Sequence, residues 1–447
     1  MDNQSSQPSD VDVASDEQAN DSIASYVSEA LPFDGITTPV PAAATYTLAD
    51  LEGIALANNP TLAAARALSS KSAGLRYQVG KYPNPLLGYF GQQMADRNTD
   101  QHGVFIEQEF VRGKKLELNR EVLGHTQRAQ AAEIEAQQYR ILTDVRVRFF
   151  EAIAAQQRLD TIRDFAAVAA KGVQVAKERQ EAEEGTLVET LQAQTLQSEI
   201  VLAEEQASVA FDGAWRDLAA ITGLSSDVSP SLVADLSVPP VDTDWDIAYA
   251  EIVAMSPELA ASRAIVCEKS ALYRRQQAQP TPNVTAQLGV GYDDGTDHGL
   301  INAQLSAPIP VWNKNRGNIQ AAYADYVRAT REVQRIEQAI RSRLARVAAE
   351  FESSLKAVRK YEDEIIPQTS RSLELSEEAY RAGELEFLQV LIVRRSFFES
   401  NLRLIDAKGS LAQAASKVDG LLLTGGLDSP VDYTDGDGIR GASFGGQ

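Results

Sequence analysis

Cysteine is almost absent from this chain of 447 residues. The single Cys267 leaves no intramolecular disulfide framework and no multi-cysteine zinc site. Histidine is as scarce: His102, His125 and His298 leave little material for histidine metal ligation or acid–base chemistry. Methionine occurs only at Met1, Met94 and Met255, which removes a methionine relay for copper. Basic side chains are outnumbered, 42 Lys and Arg against 63 Asp and Glu, for a formal net charge of −21. Nucleic acid, whose phosphates select basic surfaces, is therefore disfavoured as a partner. No run of about 18 apolar residues occurs, so a membrane-spanning part has to be a β-barrel. Clustered His/Asp/Glu sets and nucleophile motifs are also missing, and no catalytic residue, cofactor or metal ligand set is expected.

The two ends are poor in large apolar side chains. Residues 1–45 are rich in Ser, Asp, Gln, Pro and Ala and are expected to be disordered, as is the acidic, Gly-rich tail 425–447. Neither a basic segment leading into an apolar one nor an early cysteine for lipid attachment is visible. Either an export signal has been removed or the protein is cytoplasmic.

Proline is missing over long spans. None lies between Pro85 and Pro230, and only Pro367 interrupts the stretch from Pro310 to Pro430. Proline costs about 3 kcal/mol inside a helix, so such spans permit very long helices. Apolar residues recur there at helical spacing: Ile134, Ile141, Val145, Phe149, Ala152, Leu159 and Ile162, then Val333, Ile336, Ile340, Val347, Phe351, Leu355 and Val358. Leu388, Leu391, Phe398, Leu402 and Ile405 continue the pattern, close to heptad rhythm. A helix from about Lys114 to Glu184 is roughly 100 Å long at about 1.5 Å per residue.

The chain also repeats itself. Asn59-Pro60-Thr61-Leu62-Ala63-Ala64-Ala65-Arg66 answers Ser256-Pro257-Glu258-Leu259-Ala260-Ala261-Ser262-Arg263, and Pro83-Asn84-Pro85 answers Pro280-Thr281-Pro282. One structural unit used twice is expected, over 46–224 and 243–424, joined by a Pro-rich linker at 225–242. Within each unit two short segments have period two. Val284, Ala286, Leu288, Val290 and Tyr292 alternate with small or polar residues, as do Ile301, Ala303, Leu305 and Ala307. Asp293, Asp294, Asp297 and His298 lie in the turn between them; they offer metal-ligand atoms but read first as a polar hairpin loop. β-Hairpins are thus predicted at about 83–110 and about 283–309. Strands of about 9–11 residues suffice to cross a bilayer at a tilt. Four cannot close a barrel, and open edges cannot sit in lipid, so three chains supplying twelve strands are the economical solution.

Three segments carry a family resemblance: Gln108-Glu109-Phe110-Val111-Arg112-Gly113-Lys114-Lys115, Pro308-Ile309-Pro310-Val311-Trp312-Asn313-Lys314-Asn315-Arg316-Gly317-Asn318-Ile319, and Tyr380-Arg381-Ala382-Gly383-Glu384-Leu385. Over roughly residues 46–424 the chain resembles the TolC-like outer-membrane efflux family, and its heavy-metal (Czc/Cus-type) branch in particular. The resemblance implies a mainly α fold with a small β part: a long α-helical barrel in the periplasm, continuous with a transmembrane β-barrel in the outer membrane. It implies a homotrimer whose helical tips meet a periplasmic adaptor and an inner-membrane pump of the RND type. The activity implied is passive conduction, with no bond made or broken.

Site residues follow from that reading. Gly113, Pro310 and Gly317 are placed at strand-to-helix transitions. Gly185 and Gly383 are placed where helices reverse and glycine supplies a left-handed turn; with Arg381 and Glu384 they are candidate adaptor contacts, or simple helix stops. Glu183, Glu184, Glu189, Glu386, Gln389 and Ile392 are candidates for the periplasmic aperture, whose acids would favour cations or merely be solvated. The competing readings are a soluble coiled-coil scaffold and a periplasmic adaptor-like tether.

Overall fold

The computed structural model describes residues 45–94, 100–183, 185–225, 230–234, 236 and 243–434, all within one unit, Pro41–Gln447. The expected disorder of 1–44, and the Asp/Gly run at 435–438, lie outside these residues.

In chain order the elements are β1 (Thr45–Tyr46), α1 (Leu48–Asn58), α2 (Pro60–Gln78), β2 (Leu86–Gln92), β3 (Gln101–Phe110), α3 (Lys115–Glu181) and α4 (Leu187–Thr222). There follow β4 (Ser231–Leu232), α5 (Trp245–Met255), α6 (Pro257–Ala278), β5 (Val284–Asp293), β6 (His298–Ser306), α7 (Arg316–Lys360), α8 (Ile366–Arg381) and α9 (Phe387–Asp419). A π turn, Tyr361–Ile365, joins α7 to α8 immediately before Pro367, where the missing N–H and the ring must be accommodated.

The helix starts follow local chemistry. Asn59 and Ser256 cap α2 and α6 from the residue before Pro60 and Pro257, and each proline sits where its missing N–H costs nothing. α3 runs unbroken for 67 residues. Of its predicted seam, Ile141, Val145, Phe149, Ala152, Leu159 and Ile162 are all buried, packed against Phe211, Trp215 and Leu218 of α4 and Leu51 of α1. Phe165 of α3 stacks on Phe398 of α9 with ring centroids 4.1 Å apart. Of the second seam, Ile336 and Ile340 of α7 close on Leu259 of α6 and on Leu421–Leu423 just beyond α9, joined there by Leu344, which the seam did not include.

Two stretches expected to be loose are built into the fold. Part of the Pro-rich linker is strand: Ser231 and Leu232 pair in parallel with Thr45 and Tyr46, and Gln156 of α3 both donates to and accepts from the Leu232 backbone. The tail is the larger correction, because residues 425–434 pack along α3. Asp144 accepts the Gly425 and Gly426 amides, Gln137 donates to the Gly426 carbonyl, and Gln130 bonds both Val431 O and Tyr433 N. Glu133 accepts from Val431 N and the Tyr433 hydroxyl while Arg140 pairs with it at 2.7 Å. Buried polar side chains here meet the backbone groups that an apolar-poor segment cannot satisfy by itself.

Candidate functional site

β2, β3, β5 and β6 form one antiparallel sheet in the order β2-β3-β5-β6. The two hairpins are joined through β3 and β5, whose ten-residue register runs from Gln101 opposite Asp293 to Phe110 opposite Val284. Period-two alternation sorts the side chains into two faces. One carries unbroken apolar rows across all four strands: Leu87–Ile106–Leu288–Ala303 and Tyr89–Val104–Val290–Ile301. This apolar face is exposed, with Leu87 77% and Ile301 78% accessible. The other carries the rows Glu107–Gln287–Gln304 and Glu109–Thr285–Ser306.

Glycine makes room on that second face. The Phe105 ring covers Gly88 and the Phe90 ring covers Gly103, where an added Cβ would lie 2.3 Å from a ring carbon in each case. At Gly291 the obstacle is backbone, the His102 carbonyl at 2.3 Å.

Both long helices leave the sheet through left-handed residues. Gly113 and Lys114 have φ of 74° and 56° before α3, and Asn315 has φ of 58° before α7. Gly317 is already the second residue of α7, with open space around it, so the left-handed residue of the second transition is Asn315. Pro310 lies in the connector between β6 and α7. Beneath the first junction Lys115 is buried and donates from Nζ to Thr281 O at 2.6 Å and Asn283 Oδ1 at 2.9 Å. Burial, with the Arg275 guanidinium nearby, holds its ammonium below the usual lysine range. Arg275, also buried, donates from Nε to Asn119 Oδ1 at 2.6 Å.

At the far ends of the long helices the two hairpin tips differ. Gly383 takes the expected left-handed conformation at φ 78°, with Glu384 N closing back onto Ala379 O. In the first tip that conformation falls to Glu183 at φ 60° and not to Gly185, whose amide donates to Arg179 O. Glu184 lies outside the described residues. Glu189 is committed to a capping box at the start of α4: its carboxylate accepts from Thr186 N and its own amide donates to Thr186 Oγ1. Glu384, Glu386, Gln389 and Ile392 are exposed, and Arg381 reaches toward Glu377 at 3.9 Å. The two tips touch through Arg179, which donates to the Tyr380 hydroxyl at 2.9 Å and lies 5.6 Å from its ring centroid.

At the opposite, loop end of the sheet Asp100, His102 and Asp294 bring one ligand atom each within 4.8 Å of the others. The turn residues Asp297 and His298 bond locally instead, to Tyr292 and to the Thr296 carbonyl.

Among the described residues the sheet has one apolar face and two unpaired edge strands, β2 and β6, at the end of helices tens of residues long, an arrangement that lipid accepts only when the edges are closed into a barrel. The comparisons agree. Residues 248–422 match the family described as outer membrane efflux protein. It is 25% identical over 391 residues to the cobalt-zinc-cadmium resistance protein CzcC of Cupriavidus metallidurans, covering 86% of this chain and 91% of that one. The fold is that of solved outer-membrane channels. CusC superposes with a TM-score of 0.71 at 14% identity, over 88% of this chain and 97% of that one. VceC of Vibrio cholerae superposes with a TM-score of 0.67 at 18% identity, over 84% and 96%.

Proposed function

We propose that this chain is the outer-membrane channel component of a tripartite efflux system, conducting exported solute passively to the exterior. The observation that carries the reading is the four-stranded sheet with free edges at β2 and β6 and an apolar outer face. Three copies of these four strands make a twelve-stranded barrel in which β6 of one chain pairs with β2 of the next. Closure removes the open edges that lipid does not tolerate. The two hairpin-bearing halves, 46–224 and 243–424, act as one unit used twice. The helices extend into the periplasm as a tunnel continuous with the barrel.

At the tunnel's periplasmic end the hairpin tips, with Gly185, Arg381, Gly383 and Glu384, meet a periplasmic adaptor, and through it an inner-membrane pump of the RND type. The nearby acids Glu183, Glu184 and Glu386 gather negative potential around the aperture residues Gln389 and Ile392 and favour cations. Similarity to a cobalt-zinc-cadmium resistance protein supports divalent metal ions as the solute. A soluble scaffold or tether gives the apolar sheet face no role. The test is oligomeric mass with and without detergent: a trimer that requires detergent supports the reading, and a detergent-free soluble monomer or dimer contradicts it.

A further inference from the structure

The sheet's helix-side end is net basic in this acidic chain, with Glu109 the acid nearest the junction. Arg112 and Lys114 lie in the β3–α3 connector, Lys314 and Arg316 at the β6–α7 junction, and Lys81 in the α2–β2 connector; all five are exposed. Large aromatic side chains stand among them in water: Trp312 is 94% exposed, and Tyr77 and Tyr82 are exposed as well. Lys81 lies 3.9 Å from the Tyr77 ring centroid. Trp312, Lys314 and Arg316, with Val311 and Asn313, line a concavity of about 430 Å³. The sheet's other end is acidic, with Asp100, Asp293, Asp294 and Asp297.

The apolar rows stop where this collar begins. A ten-residue strand such as β5 is about 33 Å long, and at a tilt of about 40° it rises about 25 Å, the height of a barrel's apolar band. With the sheet in a bilayer the collar therefore stands at headgroup level on the helix side. Exposed indole and phenol rings are favoured at that depth, and Lys and Arg there face lipid phosphates.

We propose that the strand–helix junction is an anionic-phospholipid site, in which Lys114, Lys314 and Arg316 bind the headgroup phosphates of the inner leaflet and Trp312 seats at the carbonyl level beside them. The proposal rests on the membrane reading above and adds a lipid charge preference, which a barrel closed only by its apolar belt does not need.

Native mass spectrometry of the full chain in detergent tests it, titrated with phosphatidylglycerol or with phosphatidylcholine of the same acyl chains. The expected result is preferential retention of phosphatidylglycerol. Lys114→Gln, Lys314→Gln and Arg316→Gln should each weaken it about five-fold. Trp312→Ala should weaken both lipids alike. Lys114→Arg with Lys314→Arg keeps the charge and should keep the preference, which separates charge from folding. Equal retention of the two lipids by a detergent-requiring trimer overturns this proposal and leaves the membrane reading standing. Loss of the preference on adding inorganic phosphate at the lipid's concentration assigns the site to a free anion and overturns it too. A detergent-free chain that retains neither lipid contradicts both readings.

Discussion

The Gly426 amide donates to Asp144 Oδ2 at 2.9 Å although 282 residues separate the two, and the Gly425 amide reaches the same oxygen at 3.1 Å. One carboxylate on the longest helix thus fixes the start of the tail. Removing it leaves the half-buried Gly425 amide and the buried Gly426 amide without this acceptor, at about 1–3 kcal/mol for the buried one. Asp144→Ala should raise amide hydrogen exchange across 425–434 at least ten-fold while the middle of α3 stays protected. Unchanged protection of 425–434 would show that the tail is held by other contacts.

Gly291 answers a different question, whether β3 and β5 tolerate any spacing but the observed one. A Cβ there would meet the His102 carbonyl at 2.3 Å, and backbone does not give way as a side-chain end does. Gly291→Val should split the joined hairpins at an overpacking cost of about 1–3 kcal/mol and lower the yield of membrane-inserted protein several-fold. Gly317→Ala, with open space around it inside α7, should leave the yield unchanged. Equal yields for both variants would contradict the register.

His125, on α3 near the junction, is held below the ordinary histidine range by burial first and by the Arg128 guanidinium second. The unfolded chain takes up this proton at about pH 6.5, the folded chain only at lower pH. His125 therefore contributes stability that is fully present above about pH 6.5 and is lost as pH falls through the folded value. Between pH 7.5 and pH 5 the melting temperature of the wild type should fall further than that of His125→Gln. A ring titration by NMR with its midpoint at or above 6.5 would refute this.

The tip acids should act through potential and not through shape. Neutralising Glu183, Glu384 and Glu386 to Gln should lower the cation-to-anion permeability ratio at low salt. The effect should shrink at 1 M salt, where the Debye length is about 3 Å. Glu189→Gln should behave otherwise, since its carboxylate holds the Thr186 cap: the expected readout is faster hydrogen exchange in the first turn of α4. Selectivity unchanged in the triple variant would mean that these acids are solvated helix ends.

Much of this architecture was legible in the residues. The proline-free span foretold α3 nearly to its ends, and period two at 284–292 and 301–307 foretold β5 and β6. These signals are local and read from side chains. The parts that escaped depend on backbone. The tail is recognised through its amides and carbonyls, which its own composition does not report. The visible trace was instead the polar stripe Gln130, Glu133, Gln137 and Asp144, spaced three, four and seven on α3 beside the apolar seam. Of the two helix reversals given to glycine, Gly383 takes the left-handed turn, whereas in the first tip Glu183 and not Gly185 holds it. Glu189 looked like a free aperture acid. The Thr186-to-Glu189 spacing of a capping box was present in the sequence and could have assigned it.

The most direct test of the central claim is conductance of the purified chain in planar bilayers. A closed barrel of twelve strands leading into a helical tunnel should give discrete, ion-conducting steps with a preference for cations. Stable insertion without any conductance, or no insertion at all, would contradict the account.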